Sequence, residues 1–370
     1  MDIYDKYKNK ELIETFDDKF DIELNKYKVY DQGNSLTCWI YAAFNTIKRD
    51  VAKSLNLDED KLDFSVNYIS FYDRIEKLNK IYDEIITKDY ELSNVKYLLF
   101  NYINTCGDFN SFKYLVNKYG IVFDNQMPMN DNCYKPKDID NLLIQKVIFD
   151  IDEIINKKNK GYNLLDLKKK YMTENYKILE QIYGKPPKET IIDDLQLPVK
   201  KFYDKYVKNI VSSYVSLCCL DNLEYNKNYN ISFLDMKIDE ELYLNLELNS
   251  IKQSIIKSLK DNRPVWFGCS FRYMSGSYKN KDGILADNLY MFDKIGIKKL
   301  PKTLAEKYNV LDYSHAMIFT GYDNKNGNRK WQVCNTFGEE NNRNGYFIMS
   351  DDFFNSSVFM FAINKKYLQK

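Results

Sequence analysis

Histidine is almost missing from this chain. His315 is the only one in 370 residues, so an acid–base step near neutral pH that needs an imidazole has a single candidate. An excess of either charge is missing too. The 54 Lys+Arg against 53 Asp+Glu leave a net charge of +1, whereas a nucleic-acid binder normally carries a basic domain or stripe. Lysine runs such as Lys168-Lys169-Lys170 alternate with acids and read as solvated helix faces. The seven cysteines are odd in number, scattered and without Cys-x-x-Cys spacing, which argues against a disulfide framework. No apolar run approaches the roughly 20 residues that cross a bilayer. The opening Met1-Asp2-Ile3-Tyr4-Asp5-Lys6 is not a secretory leader, and neither repeats nor low-complexity linkers interrupt the chain. These absences predict a cytoplasmic protein with no nucleic-acid or membrane partner. Nothing in the sequence implies a metal or organic cofactor.

What is present is a chain with 44% hydrophobic residues, enough for one large core or two smaller ones. Residues 1–30 read as a polar N-terminal arm. From Cys38, the residues Ile40, Ala43, Phe44, Ile47, Val51 and Leu55 recur at helical spacing, which puts Cys38 at the N-terminal end of an amphipathic helix. Ser65 is a good N-cap for a second helix in the same lobe, 31–139. Residues 140–260 read as a helical insertion, with a stripe of Leu164, Leu167, Tyr171, Ile178 and Ile182 that stops at Gly184-Lys185-Pro186-Pro187. From 261 to 370 the apolar runs shorten to strand length, and an antiparallel sheet is expected. The fold class is α+β.

The chemistry lies in three short segments. Asp31-Gln32-Gly33-Asn34-Ser35-Leu36-Thr37-Cys38-Trp39 leads into the first helix, Ser314-His315-Ala316 opens a strand, and Cys334-Asn335-Thr336-Phe337 closes one. Gln, Cys, His and Asn in that order are the parts of a papain-type thiol hydrolase. A helix N-terminus and a neighbouring imidazolium both lower a thiol pKa, so Cys38 is expected to react as thiolate. The turn-rich segment 323–328 predicts a hairpin centred near Lys325, which sets His315 opposite Asn335. The Asn amide would then fix the imidazole tautomer, while Gln32 and the Cys38 N–H would offer donors to an oxyanion. Taken singly, each residue has a plainer explanation: a packed thiol, a structural histidine, a turn asparagine. Cys106, Cys133, Cys218, Cys219, Cys269 and Cys334 are read as core or surface thiols.

The chain resembles the bleomycin hydrolase/aminopeptidase C branch of the papain-like cysteine peptidases. The resemblance covers about residues 30 to 365 and includes Asp63–Glu76, Lys118–Val122, Gly184–Pro187, Pro264–Cys269, Asp282–Leu285, Asn344–Tyr346 and Asp351–Phe354. It implies a papain-like two-lobed fold with a helical insertion, cytosolic hydrolysis of peptide substrates, and often a homo-oligomer, a hexamer. Carried over by position, it makes Cys38 the nucleophile, His315 the base and acid, Asn335 the orienting residue and Gln32 the oxyanion donor. Gly107, Asp108 and Phe109 fall in the segment that pairs with substrate backbone.

The departures shape the alternatives. Leu36-Thr37 stands where the family has Gly followed by Arg or Ser, and Phe337 stands in place of a Trp that shields the Asn–His bond. The family's long C-terminal arm, which fills part of the cleft, has no counterpart after Lys370. An endopeptidase with an open cleft is therefore one alternative. A peptide-binding pseudoenzyme is the other, opposed by the retention of all four catalytic residues.

Overall fold

The computed structural model describes residues 3–25, 27–88, 92–231, 242–271, 282–325 and 327–368. Its centre is the helix Cys38–Leu55, in which every residue from Cys38 to Lys48 is buried. A helix buried all round needs partners on every side. Strands Val265–Cys269 and His315–Lys325 cover one side, and helices Val66–Thr87 and Phe109–Tyr119 cover another. The helix stops at Asn56, which takes the left-handed conformation (φ 56°) that asparagine tolerates.

Helix Val66–Thr87 starts at Ser65, whose hydroxyl accepts from the Tyr68 N–H at 2.9 Å, a cap worth about 1 kcal/mol. Helices Leu92–Tyr102, Phe109–Tyr119, Pro136–Lys158 and Leu164–Tyr183 pack around it. Part of the packing is polar. Buried Arg74 pairs with Asp140 at 2.5 Å, and the Tyr82 hydroxyl donates to Asp150 at 2.6 Å. Removing Asp140 would strand a buried guanidinium, at a cost of about 3–5 kcal/mol.

A ten-stranded sheet forms the other layer. Its core order runs Tyr214–Cys218, Val358–Asn364, Val265–Cys269, His315–Lys325, Asn328–Cys334 and Tyr346–Ser350, all neighbours antiparallel. Val265–Cys269 is buried at every position, as its unbroken apolar run Val-Trp-Phe-Gly-Cys requires. Two features depart from the reading of an antiparallel C-terminal sheet beside a helical insertion. Two edge pairings are parallel: Ile284–Leu285 with Tyr346–Ser350, and Tyr243–Asn245 with Tyr214–Cys218. The segment 140–260 also supplies three strands of the main sheet (Tyr214–Cys218, Lys227–Tyr229, Tyr243–Asn245) and a separate hairpin, Glu189–Ile192 with Leu195–Pro198. Lys227–Tyr229 and Tyr243–Asn245 are only three residues long and Ile284–Leu285 only two, so they carry little of the apolar pattern that identifies a strand. The polar N-terminal arm adds Ile22–Glu23 beside Gly321 and Tyr322.

Candidate active site

Where the nucleophile helix meets the sheet, a cleft of about 940 Å³ opens. Cys38 is the first helical residue. Its N-cap, Thr37, makes no side-chain cap bond, because the Thr37 hydroxyl is paired with Ser35 Oγ at 2.6 Å. The N–H groups of Ala316, Trp39 and Cys38 itself are directed at the Cys38 sulfur. The Ala316 contact sets the start of strand His315–Lys325 against the thiol.

His315 opens that strand opposite Cys269 and is 3% exposed. Its Nε2 lies 2.7 Å from Asn335 Oδ1. An amide oxygen only accepts, so Nε2 carries the ring proton and Nδ1 keeps the lone pair. Asn335 is itself fixed by its N–H to Gly345 O at 3.0 Å and is fully buried. The hairpin register differs from the expected one. Asn328 pairs with Lys325, and a bulge between Gln332 and Val333 sets Cys334 against Ile318. Continued, that register brings Phe337, not Asn335, across from His315. The Phe337 ring stacks on the imidazole at 4.8 Å and 19°, and Asn335 reaches the ring along the diagonal. Phe271 closes another side of the ring at 5.1 Å.

Gln32, 4% exposed, is held twice by one residue. Its N–H donates to Thr336 O at 2.8 Å, and its Oε1 accepts from the Thr336 hydroxyl at 2.6 Å. The amide is thereby oriented and its NH2 left for another acceptor. Sequence reasoning missed Thr336; the available signal was a hydroxyl between Asn335 and Phe337.

The opposite wall is the segment 104–107. Lys77 Nζ donates to the carbonyls of Asn104 (2.8 Å) and Cys106 (2.7 Å) while paired with buried Asp73 at 2.7 Å. Trp39 Nε1 donates to Thr105 O at 2.8 Å, and Tyr313 OH to Gly107 O at 2.9 Å. A Cβ at Gly107 would lie 2.6 Å from the Trp39 ring, so this approach requires glycine. Gly107 lines the cleft. Its two neighbours correct the expected substrate segment. Asp108 is the N-cap of helix Phe109–Tyr119, with its oxygens taken by Ser111 and the Tyr243 hydroxyl. Phe109 has no exposed surface and packs on Trp266, Tyr214 and Phe112. A residue on the inner face of a helix cannot touch a peptide in the cleft. Among the remaining thiols, Cys106 is half-buried and lines the cleft; the other five are buried.

The electrostatics also correct the expectation of a thiolate stabilised by the helix. Burial pushes the Cys38 thiol up to about 12, with the surrounding N–H groups acting against it. Burial holds His315 down to about 4, opposed by the Asn335 hydrogen bond. Desolvation thus favours the neutral form of each residue.

A thiol on a helix N-terminus, an imidazole on a facing strand and an asparagine amide fixing the ring define a papain-like cysteine peptidase. The Peptidase C1-like family model matches residues 1–370, and the chain belongs to that family. It is 29% identical over 374 residues to the aminopeptidase C of Listeria innocua, an alignment covering 95% of this chain and 83% of that protein. Bleomycin hydrolase of Mus musculus is 25% identical, with 92% and 80% covered. The crystal structure of pepw from Lactobacillus rhamnosis superposes with a TM-score of 0.88 at 28% identity, covering 99% of this chain and 86% of that one. Among the described residues no helix is long and apolar enough to cross a membrane.

Proposed function

We propose that this chain hydrolyses peptide bonds in the cytoplasm through a thioester on Cys38. His315 Nδ1 takes the thiol proton as the sulfur attacks the scissile carbonyl. The resulting oxyanion is received by the Gln32 NH2 and the Cys38 N–H. His315 then returns its proton to the departing amine, and the same ring activates the water that cleaves the thioester. The observation that carries this reading is the 2.7 Å His315–Asn335 bond together with the Ala316 N–H at the Cys38 sulfur. Seven cysteines outside any disulfide suit a reducing compartment. Exposed Tyr97, Phe100, Leu142 and Phe149 on the insertion and neighbouring helices support the expected homo-oligomer.

Two specificities remain in view, each with its own observation. Asp138 lines the cleft and can pair with a free α-ammonium, which favours aminopeptidase action. Against this, Lys366 and Tyr367 are tied to Asp261 and Arg263, beside Asp50, well away from the cleft. Asp50 stands twelve residues along the nucleophile helix from Cys38, roughly 18 Å away, so Lys366 and Tyr367 do not enter the cleft. A cleft left open by the described residues suits endopeptidase action. Hydrolysis of one peptide with a free N-terminus and N-acetylated decides between them. A strong preference for the free amine establishes the first, and equal rates the second. Cleavage that survives Cys38→Ser would refute the proposed mechanism.

A further inference from the structure

Among the described residues, eight other than glycine have positive φ, and seven of them are Asn or Asp, the side chains that tolerate this region. The eighth is Leu36, at φ 60°, in the loop that ends at Cys38. For an aliphatic residue this conformation is strained, and such strain persists only where the surrounding structure imposes it. Here the imposing contacts are visible. Ser35 and Thr37, 1% and 2% exposed, are bonded to each other through their hydroxyls, and Ser35 O accepts from the buried Thr105 hydroxyl at 3.0 Å. With both neighbours turned inward, Leu36 is turned out. It is 39% exposed and lines the cleft that holds Cys38.

The chemistry assigns this side chain a place along the substrate. His315 must protonate the departing amine, so the leaving group lies on the side of His315 and Phe337. The acyl half, bonded to the Cys38 sulfur, then lies toward Leu36, Cys106 and Gly107. We propose that Leu36 is a specificity-determining residue, which narrows the subsite for the residue donating the scissile carbonyl and selects small side chains there. The proposal rests on the cysteine-peptidase reading above.

The test uses fluorogenic peptide amides that differ only at the carbonyl-donating residue, alanine against phenylalanine, assayed with the whole chain and two variants. Leu36→Ala removes bulk but retains a Cβ at positive φ; Leu36→Gly removes both. Both are expected to raise the Phe/Ala ratio of kcat/KM by about tenfold, within the range that a few methylenes of pocket volume confer. Only Leu36→Gly is expected to raise Tm as well, through relief of strain. An unchanged ratio in both variants overturns the proposal. A change confined to Leu36→Gly overturns it equally, because backbone freedom and not bulk would then set selectivity. Absence of hydrolysis by the unaltered chain would instead refute the peptidase reading.

Discussion

A chain with one histidine allows an unusually clean measurement, because the lone imidazole reports on the site without overlap. Burial lowers the pKa of His315 from 6.5 to about 4. The sign of the linkage follows. In the unfolded chain the ring binds a proton as pH falls through 6.5; in the folded chain it resists until about 4. Across that window the unfolded state holds more protons, so stability falls as pH drops. A displacement from 6.5 to about 4 corresponds to about 3 kcal/mol, present in full above pH 6.5 and gone below pH 4. His315→Gln removes this contribution while keeping a polar side chain near Asn335. Urea denaturation of both proteins from pH 4 to 7 should show the unaltered chain losing about 3 kcal/mol more than the variant over the window. Titrating carboxylates cancel in the difference. In a Cys38→Ser background, the single imidazole Cε1–H resonance should titrate well below pH 5.5. Parallel stability curves, together with an imidazolium persisting above pH 6.5, would refute the claim that desolvation governs this ring.

Three further outcomes can be checked independently. Because proton transfer within the Cys38–His315 pair conserves charge, iodoacetamide should label Cys38 at a nearly constant rate from about pH 5 to 9. His315→Ala should abolish this labelling, and a tenfold rise per pH unit would instead indicate a thiol ionising to solvent. Thr336→Val frees the Gln32 amide to rotate and should lower kcat/KM about tenfold, less than the ~10²–10³ expected for Gln32→Ala; equal rates for Thr336→Val and the parent would show that the hydroxyl does not orient Gln32. Gly107→Ala sets a methyl into the Trp39 ring at 2.6 Å and should cost about 1–3 kcal/mol of stability by calorimetry, whereas an unchanged Tm would mean that the ring can move aside.

The four residues of the candidate site were legible because each sits beside a strong local signal: a helix start after Gln32, an apolar strand after His315, another before Asn335. Helix boundaries at Ser65 and Gly184 were legible through capping and the end of the apolar stripe. Tyr214–Cys218 was not, since five residues within a long helix-rich segment do not separate by periodicity from a short helix. Phe109 was misassigned because alignment with a cleft-lining segment does not reveal which face of a helix a residue occupies. The upward shift of the Cys38 thiol was not legible for a related reason. A helix N-terminus is visible in sequence, but the burial that outweighs it is produced by strands more than 200 residues away. Strain at Leu36 is likewise imposed by Ser35, Thr37 and Thr105 and leaves no mark in composition.

The register that joins His315 to Asn335, and Asn335 to Gly345, also bears on the order of events during synthesis. Cys38 leaves the ribosome about 300 residues ahead of Asn335, an interval of roughly 15–60 s at about 5–20 residues per second. Before the last strands emerge, the thiol lacks the imidazole and the amide that the proposed mechanism assigns to it. If that mechanism holds, a growing chain cannot attack itself or neighbouring nascent polypeptides. On the proposed mechanism, reactivity is acquired only when the last strands close, a safeguard supplied by the order of the elements along the chain.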